Sequence, residues 1–350
     1  MSRFLIASIL AAIIFALPQT IKAATNDTQA PAMPEQQEAV IENISDTATV
    51  KFLSGPNKDT SITFPFSSQS TQGRDYKAGD KVMIAKVDDG LGNAQYFIVD
   101  YIRRDALMLL GLLFIACTIL IARKKGITSL LSMGFTFFVI FKFLLPQILG
   151  GQNPIFAAIM TGIMTVPVTY YASHGFNKKT HSAALGTIIA LVITSVLAYF
   201  SIEASKLTGF ATEDAVFLTF MVEGGLNMKG LLLAGIIVGL LGILDDITIS
   251  QSAIVFKLKE NAPHLSFREV YVQAMDIGKD HIGSIINTLI LVYTGAALPF
   301  LLLFVANGQS FGTAINYELI SEEIVRTLVA SIGLIMAVPI TTLIASIQKK

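Results

Sequence analysis

From Ala106 to the C-terminus the chain is built of long apolar runs separated by short polar stretches, at about 106–122, 128–147, 154–172, 183–202, 230–256, 283–306 and 325–346. Each approaches the roughly 20 residues a helix needs to cross ~30 Å of hydrocarbon, so the pattern predicts about seven transmembrane helices. Upstream the period changes. TATVKFL, SITFPF, DKVMIAKV and AQYFIVDY are short alternating runs separated by GPNKD, by a polar stretch through Gly73 and Asp75, and by DDGLGN. Such alternation predicts four or five strands in a small β-rich domain over 46–104, ahead of a helical domain over 105–350. Residues 24–45, beginning ATNDTQAPAMPEQQEAV, read as a polar linker. Residues 1–23 carry Arg3, an apolar run to Leu17, Pro18 and small residues around Ala23. That is the pattern of a signal peptide, cleaved near Ala23 or Ala24 or kept as an anchor, so the β-rich domain is expected outside the cytoplasm.

Composition sharpens the class. With 53% hydrophobic residues, 14% charged residues and a mean hydropathy of +0.64, the 350-residue chain reads as an α-helical polytopic membrane protein with the lipid bilayer as its solvent. Its formal net charge of zero lacks the basic excess that a nucleic-acid partner demands. The single cysteine, Cys117, lies in an apolar run and cannot build a disulfide framework or a cysteine metal site within one chain. HExxH, GxGD and the usual Ser or Cys nucleophile settings are absent, and the isolated Gly283-Ser284 reads as a packing contact, so neither an enzyme nor a cofactor is expected.

Charge then orients the runs. With the β-rich domain outside, the loops on the cytoplasmic side carry Arg123, Lys124, Lys125, Lys178, Lys179, Lys257, Lys259, Arg268, Lys279, Lys349 and Lys350. The opposite loops hold Glu203, Glu213, Asp214, Glu223, Glu318, Glu322 and Glu323, with Lys206, Lys229 and Arg326 their few cations. The positive-inside rule and the signal peptide thus agree on a multi-pass protein of the cell membrane, with an exterior N-terminal domain and a cytoplasmic C-terminus.

Against this background GLLGILDDITISQ stands out, because Asp245 and Asp246 interrupt an apolar run that resumes after them. Charges at that depth cost at least a few kcal/mol and mark ion or proton paths. Two adjacent carboxylates out of water disfavour joint ionisation, which suits the pair to proton uptake and release. At helical spacing Thr248 and Ser252 follow Asp245, Ser250 follows Asp246, and Gln251 lies beside them. Gly235, Gly239 and Gly242 form a small-residue edge open to another helix. The plainer alternative ends the segment at Asp245, in the wet interface. In the next run Asp276, Asp280, Ser284 and Asn287 recur on one helix face with His281 and Thr288 adjacent, a stripe expected to face the aspartates. Asp280 and His281 could equally cap a helix at the boundary. Pro146, Pro154, Pro167, Pro299 and Pro339 fit bent helices or ordinary helix ends.

GLLLAGIIVGLLGILDDITISQ, with IGKDHIGSIINTLILVYTGAALPFLLLF, closely resembles the YibE/F-like family of bacterial multi-pass membrane proteins over most of residues 75–346. The resemblance implies an integral cell-membrane protein with an exported N-terminal portion, and no particular substrate. More distantly, the Asp-Asp helix followed by KLKENAPHLSFREVYVQAM is similar to half of a resistance–nodulation–division or SecDF-type permease, in which membrane aspartates carry protons that drive work outside. Here the large exterior insertion of those proteins is replaced by the GGQNP turn and only one half is present. That likeness implies a homodimer or a paralogous partner.

The expected function is a proton- or ion-coupled transporter or translocation factor working through Asp245 and Asp246. A divalent-cation transporter is an alternative, since Asp, Asn, Ser, Thr and Gln supply oxygen ligands for Mg²⁺ or Mn²⁺, with no metal specified by the residues. A non-transporting assembly or signalling protein is another, and it would tolerate Asn in place of both aspartates.

Overall fold

The computed structural model describes residues 35–66, 73–88, 94–222 and 225–348. The signal peptide or anchor, the linker up to residue 34, Glu223, Lys349 and Lys350 lie outside the described residues. The chain divides into two compact units, Asn26–Ile121 and a second built from Ala122–Lys350.

In the first unit strand β1 (Glu35–Ile44), β2 (Thr47–Phe52), β3 (Ser61–Pro65), β4 (Lys81–Asp88) and β5 (Ala94–Tyr101) form one antiparallel sheet in the order β3-β2-β1-β4-β5. Four strands fall on the alternating runs of the sequence. The fifth, β1, lies wholly inside residues 24–45, so that stretch is not a linker from Glu35 onward but part of the sheet. Its glutamates and glutamines hide the alternation, yet Gln37, Ala39 and Ile41 are buried while Gln36 and Glu42 are exposed. A register shift between Ile41 and Asn43 bends β1, so that it pairs with β4 through its first half and with β2 through its second. This is the strand order of an OB-type barrel left open between β3 and β5. Tyr96 of β5 reaches across to Phe52 and Phe64, with ring centroids 6.2 and 6.4 Å apart, over a core of Ile41, Val50, Val82 and Ile84. At the end of β5, Arg103 and the Tyr101 amide hold the Asp100 carboxyl down to about 2.

Helix α1 (Arg104–Val139) continues through a π-helical turn (Ile140–Leu144) into α2 (Leu145–Leu149). Two separate spans are expected here. Arg104–Leu149 forms one 46-residue apolar stretch in which two helices meet at a kink, where Arg123 adopts φ 51°, ψ −127°. The RKKG sequence contains no proline, and it turns at one residue's dihedrals. Four more helices are long and apolar enough to cross a membrane: α3 (Pro154–His174), α4 (Lys178–Ala204), α6 (Met228–Asn261) and α10 (Glu318–Ile347). A sixth candidate is the pair α7 (Phe267–Ala296) and α8 (Leu298–Ala306), bent by 62° where Pro299 cannot continue the hydrogen-bond ladder of α7. Among the described residues the count by length and composition is five, or six with the bent pair taken as one span, and the kink at Arg123 divides the first of these into two helices. Short α5 (Glu213–Met221) and α9 (Phe311–Ala314) lie between the long helices. Pro167 and Pro339 fall inside α3 and α10, and Pro146, Pro154 and Pro299 fall in first turns.

Helix α6 forms the axis of the second unit. Its Ile236, Ile237, Leu240, Leu244 and Ile247 are almost wholly buried among α3, α4, α7 and α10. Small residues permit the close fit of these helices. A Cβ on Gly333 would stand 2.5 Å from the Thr194 hydroxyl, and one on Gly186 would overlap the Thr341 hydroxyl. Contacts also give directions. Gly162 and Tyr170 of α3 meet Leu241 and Thr248 of α6, and Gln251 of α6 meets Thr342 of α10, so α3, α6 and α10 run parallel. Gln251 also meets Ala274, and Gly239 approaches Tyr293, so α7 runs antiparallel, as does α4. Lys259 donates to the carbonyls of Ala345, Ser346 and Gln348 at 2.6–2.8 Å, closing one end of the bundle. The Glu318 carboxylate accepts from the Thr208 amide and hydroxyl and the Gly209 amide at the other.

Candidate functional site

Helix α6 does not end at the aspartates. It runs unbroken from its Asn227 cap to Asn261, with Asp245 about midway. Successive residues lie ~100° apart on a helix, and the two carboxylates accordingly diverge: Asp245 is half-buried and Asp246 exposed.

Beside Asp245 lies a cluster that the sequence does not announce. The Tyr170 hydroxyl of α3 is 2.5 Å from Thr187 Oγ1 of α4 and 2.8 Å from Thr248 Oγ1 of α6, and the two threonines are 2.8 Å apart. All three residues are buried, with Tyr170 1% exposed. The triangle of three oxygens has only three protons. Thr187 can donate to the Ala183 carbonyl at 3.1 Å and Thr248 to the Leu244 carbonyl at 2.8 Å, as β-hydroxyls in helices commonly do. The Tyr170 proton is then free to serve either threonine oxygen or the Asp245 carboxylate, which interacts with this hydroxyl. Helix α3 positions it through its Asn153 cap and a column of threonines, Thr161, Thr165 and Thr169, each bonded to the carbonyl one turn back.

The remaining expected residues fall in three places. Thr248 joins the cluster. Buried Gln251 donates to the Ala274 carbonyl (2.9 Å) and to Thr342 Oγ1 (2.7 Å), tying α6 to α7 and α10 rather than serving the carboxylates. Ser252 donates to the Lys179 carbonyl at 2.8 Å, and Ser250 is half-buried. The α7 stripe turns away: Asp276, Asp280, His281, Ser284, Asn287 and Thr288 are all exposed. The reason is geometric. Ala274 and Gly278 make the contact face of α7, because only a hydrogen fits where Gly278 meets Val338 and Gln251 at 2.7–3.0 Å from a hypothetical Cβ. Asp276 and Asp280 follow these two residues by two positions, ~200° around the helix, on the opposite side. There Asp276 pairs with Lys279 at 2.8 Å, and Thr288 donates to the Ser284 carbonyl. Gly235 and Gly242 are likewise open, with nothing within 4 Å of an added Cβ.

One further residue belongs near the site. His174 ends α3, exposed, with Lys179, Lys125 and Asp246 as its charged neighbours. Neither it nor Tyr170 stands out in VTYYASHG, since a tyrosine and a histidine near the end of a span are ordinary interfacial residues. Among the described residues, no group of three or more His, Cys, Asp and Glu side chains converges as a metal cage would.

Residues 110–350 match the family model described as YibE/F-like protein. No curated protein and no solved structure matches the chain.

Proposed function

This chain belongs to the YibE/F-like family, and we propose that it is a proton-coupled membrane transporter or translocation factor in which Asp245 takes up and releases the coupling proton. The observation that carries this reading is the setting of Asp245: a carboxylate midway along an apolar helix, half-buried against a closed set of three hydroxyls. A protonatable group with donors and acceptors around it can change charge there, where a permanently charged one would be costly. Asp246, one residue on and exposed, is the side of the pair from which protons arrive or leave.

The same spacing weighs against a divalent-cation site at this cluster. An octahedral Mg²⁺ with oxygens at ~2.05 Å holds neighbouring ligand oxygens ~2.9 Å apart, and Ca²⁺ holds them farther. The three hydroxyls lie 2.5–2.8 Å apart, the spacing of oxygens bonded to each other.

The threading that goes with this reading is seven crossings of the cell membrane, the β-sheet unit outside and the C-terminus in the cytoplasm. It is supported by the alternating directions of α3, α4, α6, α7 and α10. It is also supported by the gathering of Lys178, Lys179, Lys257 and Lys259 at one end of the bundle and of Glu203 and Glu318 at the other.

The test is proton flux into vesicles that hold the full-length protein and a pH-sensitive dye, under an imposed gradient. Asp245→Asn is expected to lower flux at least tenfold, while Asp246→Asn, on the solvent side, lowers it less. Equal flux from wild type and well-folded Asp245→Asn would favour the assembly or signalling alternative, and flux that requires added Mg²⁺ or Mn²⁺ would favour the cation reading.

A further inference from the structure

We propose that the cleft between α8 and the start of α10 binds a lipophilic cation, and that this cation is the cargo whose movement the Asp245 proton drives. The binding site stands on its own geometry, and its role as cargo site rests on the proton-coupled reading above.

Two features of the chain open the cleft. Pro299 bends α8 by 62° from α7, so α8 leaves the line of that helix instead of extending it. The Glu318 carboxylate holds the Thr208–Gly209 turn against the start of α10, and a Cβ on Gly209 would overlap the Met228 carbonyl, so only glycine lets the turn lie that close. A cavity of about 450 Å³ remains between them. Its apolar lining is Phe210, Phe300, Leu303, Phe304 and Tyr317, and its polar groups include Asn307, Gln309 and Glu318. Small-molecule sites have roughly 300–1,000 Å³ and the same make-up, apolar and aromatic walls with a few polar groups. Phe304 packs on Tyr317 with ring centroids 4.6 Å apart, while Phe210, Phe300 and Tyr317 stay nearly half exposed, so the walls do not close on one another.

Charge selects the ligand. No Lys or Arg lines the cavity. Oε1 of Glu318 accepts from the Thr208 and Gly209 amides, whereas Oε2 accepts only from the Thr208 hydroxyl, at 2.9 Å. These donors are neutral: they orient the carboxylate without cancelling its charge, and among the described residues no Lys or Arg pairs with it. One turn farther along α10, Glu322 Oε1 is buried without a hydrogen-bond partner among the described residues, and the nearby Arg326 is taken by Glu323 at 3.1 Å. An anion would be repelled here, and a neutral apolar molecule would leave the carboxylate unanswered. A cation with apolar substituents meets both the ring faces, whose quadrupoles attract it, and the negative end of the cleft.

The experiment is equilibrium dialysis of the full-length protein in detergent against labelled tetraphenylphosphonium, with protein-free micelles as the blank. Tetraphenylborate, of the same four-phenyl shape and opposite charge, is the competitor. Saturable binding of the cation is expected, with the borate competing at least tenfold less well. Glu318→Gln and Phe304→Leu should each weaken binding of the cation at least tenfold, the first by removing the charge and the second the ring face. If Glu318→Gln aggregates, Phe304→Leu and the comparison of the two ions on wild type decide. No saturable binding, equal binding of the two ions, or wild-type affinity in both variants overturns the site. Asp245→Asn should bind the cation as wild type does but lose its gradient-driven uptake into vesicles. Binding without such uptake, in vesicles where proton flux depends on Asp245, overturns the cargo role and leaves the proton-coupled reading standing. Proton flux that persists in Asp245→Asn removes that reading and leaves the site.

Discussion

At the scale of single residues, the site is divided between what charge announces and what only packing assembles. Asp245 is legible because no carboxylate enters an apolar run without a compensating arrangement. The arrangement itself is not legible: Tyr170 and Thr187 lie 75 and 58 residues before it, on helices whose facing sides are chosen by glycines and alanines. The two hydroxyls make separable predictions. Each forms a buried hydrogen bond worth about 0.5–1.5 kcal/mol, so Tyr170→Phe and Thr187→Val should lower stability in detergent by similar amounts. Only Tyr170 interacts with the Asp245 carboxylate. Flux should therefore fall about tenfold in Tyr170→Phe, equivalent to roughly 1.4 kcal/mol of lost stabilisation, and little in Thr187→Val. Equal flux losses in the two variants would reduce the cluster to a structural contact.

At the scale of elements, hydrophobic period locates the long helices and four of the five strands but misses β1, and capping residues mark helix starts. Asn153, Asn177, Asn227 and Ser266 each accept from the first amides of α3, α4, α6 and α7, and Ser266 does so in a reciprocal capping box with Glu269. The rotation of each helix about its axis is the part that period leaves open. The α7 stripe shows this: its spacing is helical as expected, but the close approach at Gly278 selects the other face for contact. Glycines divide the same way. Gly278→Ala, crowding Val338 and Gln251, should cost about 1–3 kcal/mol and lower the melting temperature, as overpacked cores do. Gly235→Ala and Gly242→Ala, with open space before them, should leave melting unchanged or raise it slightly, since alanine is the better helix former. A fall in melting temperature for the second pair would mean that another helix occupies that edge.

At the scale of the molecule, the open question is how Arg104–Leu149 meets the bilayer. At ~1.5 Å per residue its 46 residues span ~69 Å, more than twice the ~30 Å of hydrocarbon. A single straight crossing would also place Arg123, Lys124 and Lys125 near the midplane, at roughly 2.5–3.5 kcal/mol each. A reversal at Arg123, the residue whose dihedrals are not helical, removes both costs, because each half is then of crossing length and the three cations return to water. The two arrangements differ in parity. With a reversal, the sheet unit and the turn after α2 lie on the same side of the membrane; with one crossing they lie on opposite sides. Cys117→Ser supplies a background without thiols, into which Lys58→Cys in the β2–β3 loop and Gln152→Cys after α2, both exposed, can be placed singly. A membrane-impermeant maleimide added to intact cells should label both, and should label Glu260→Cys at the end of α6 only after permeabilisation. If Lys58→Cys reacts and Gln152→Cys does not, Arg104–Leu149 crosses once. The bundle from α3 onward would then be inverted, with His174 and its lysines on the exterior side.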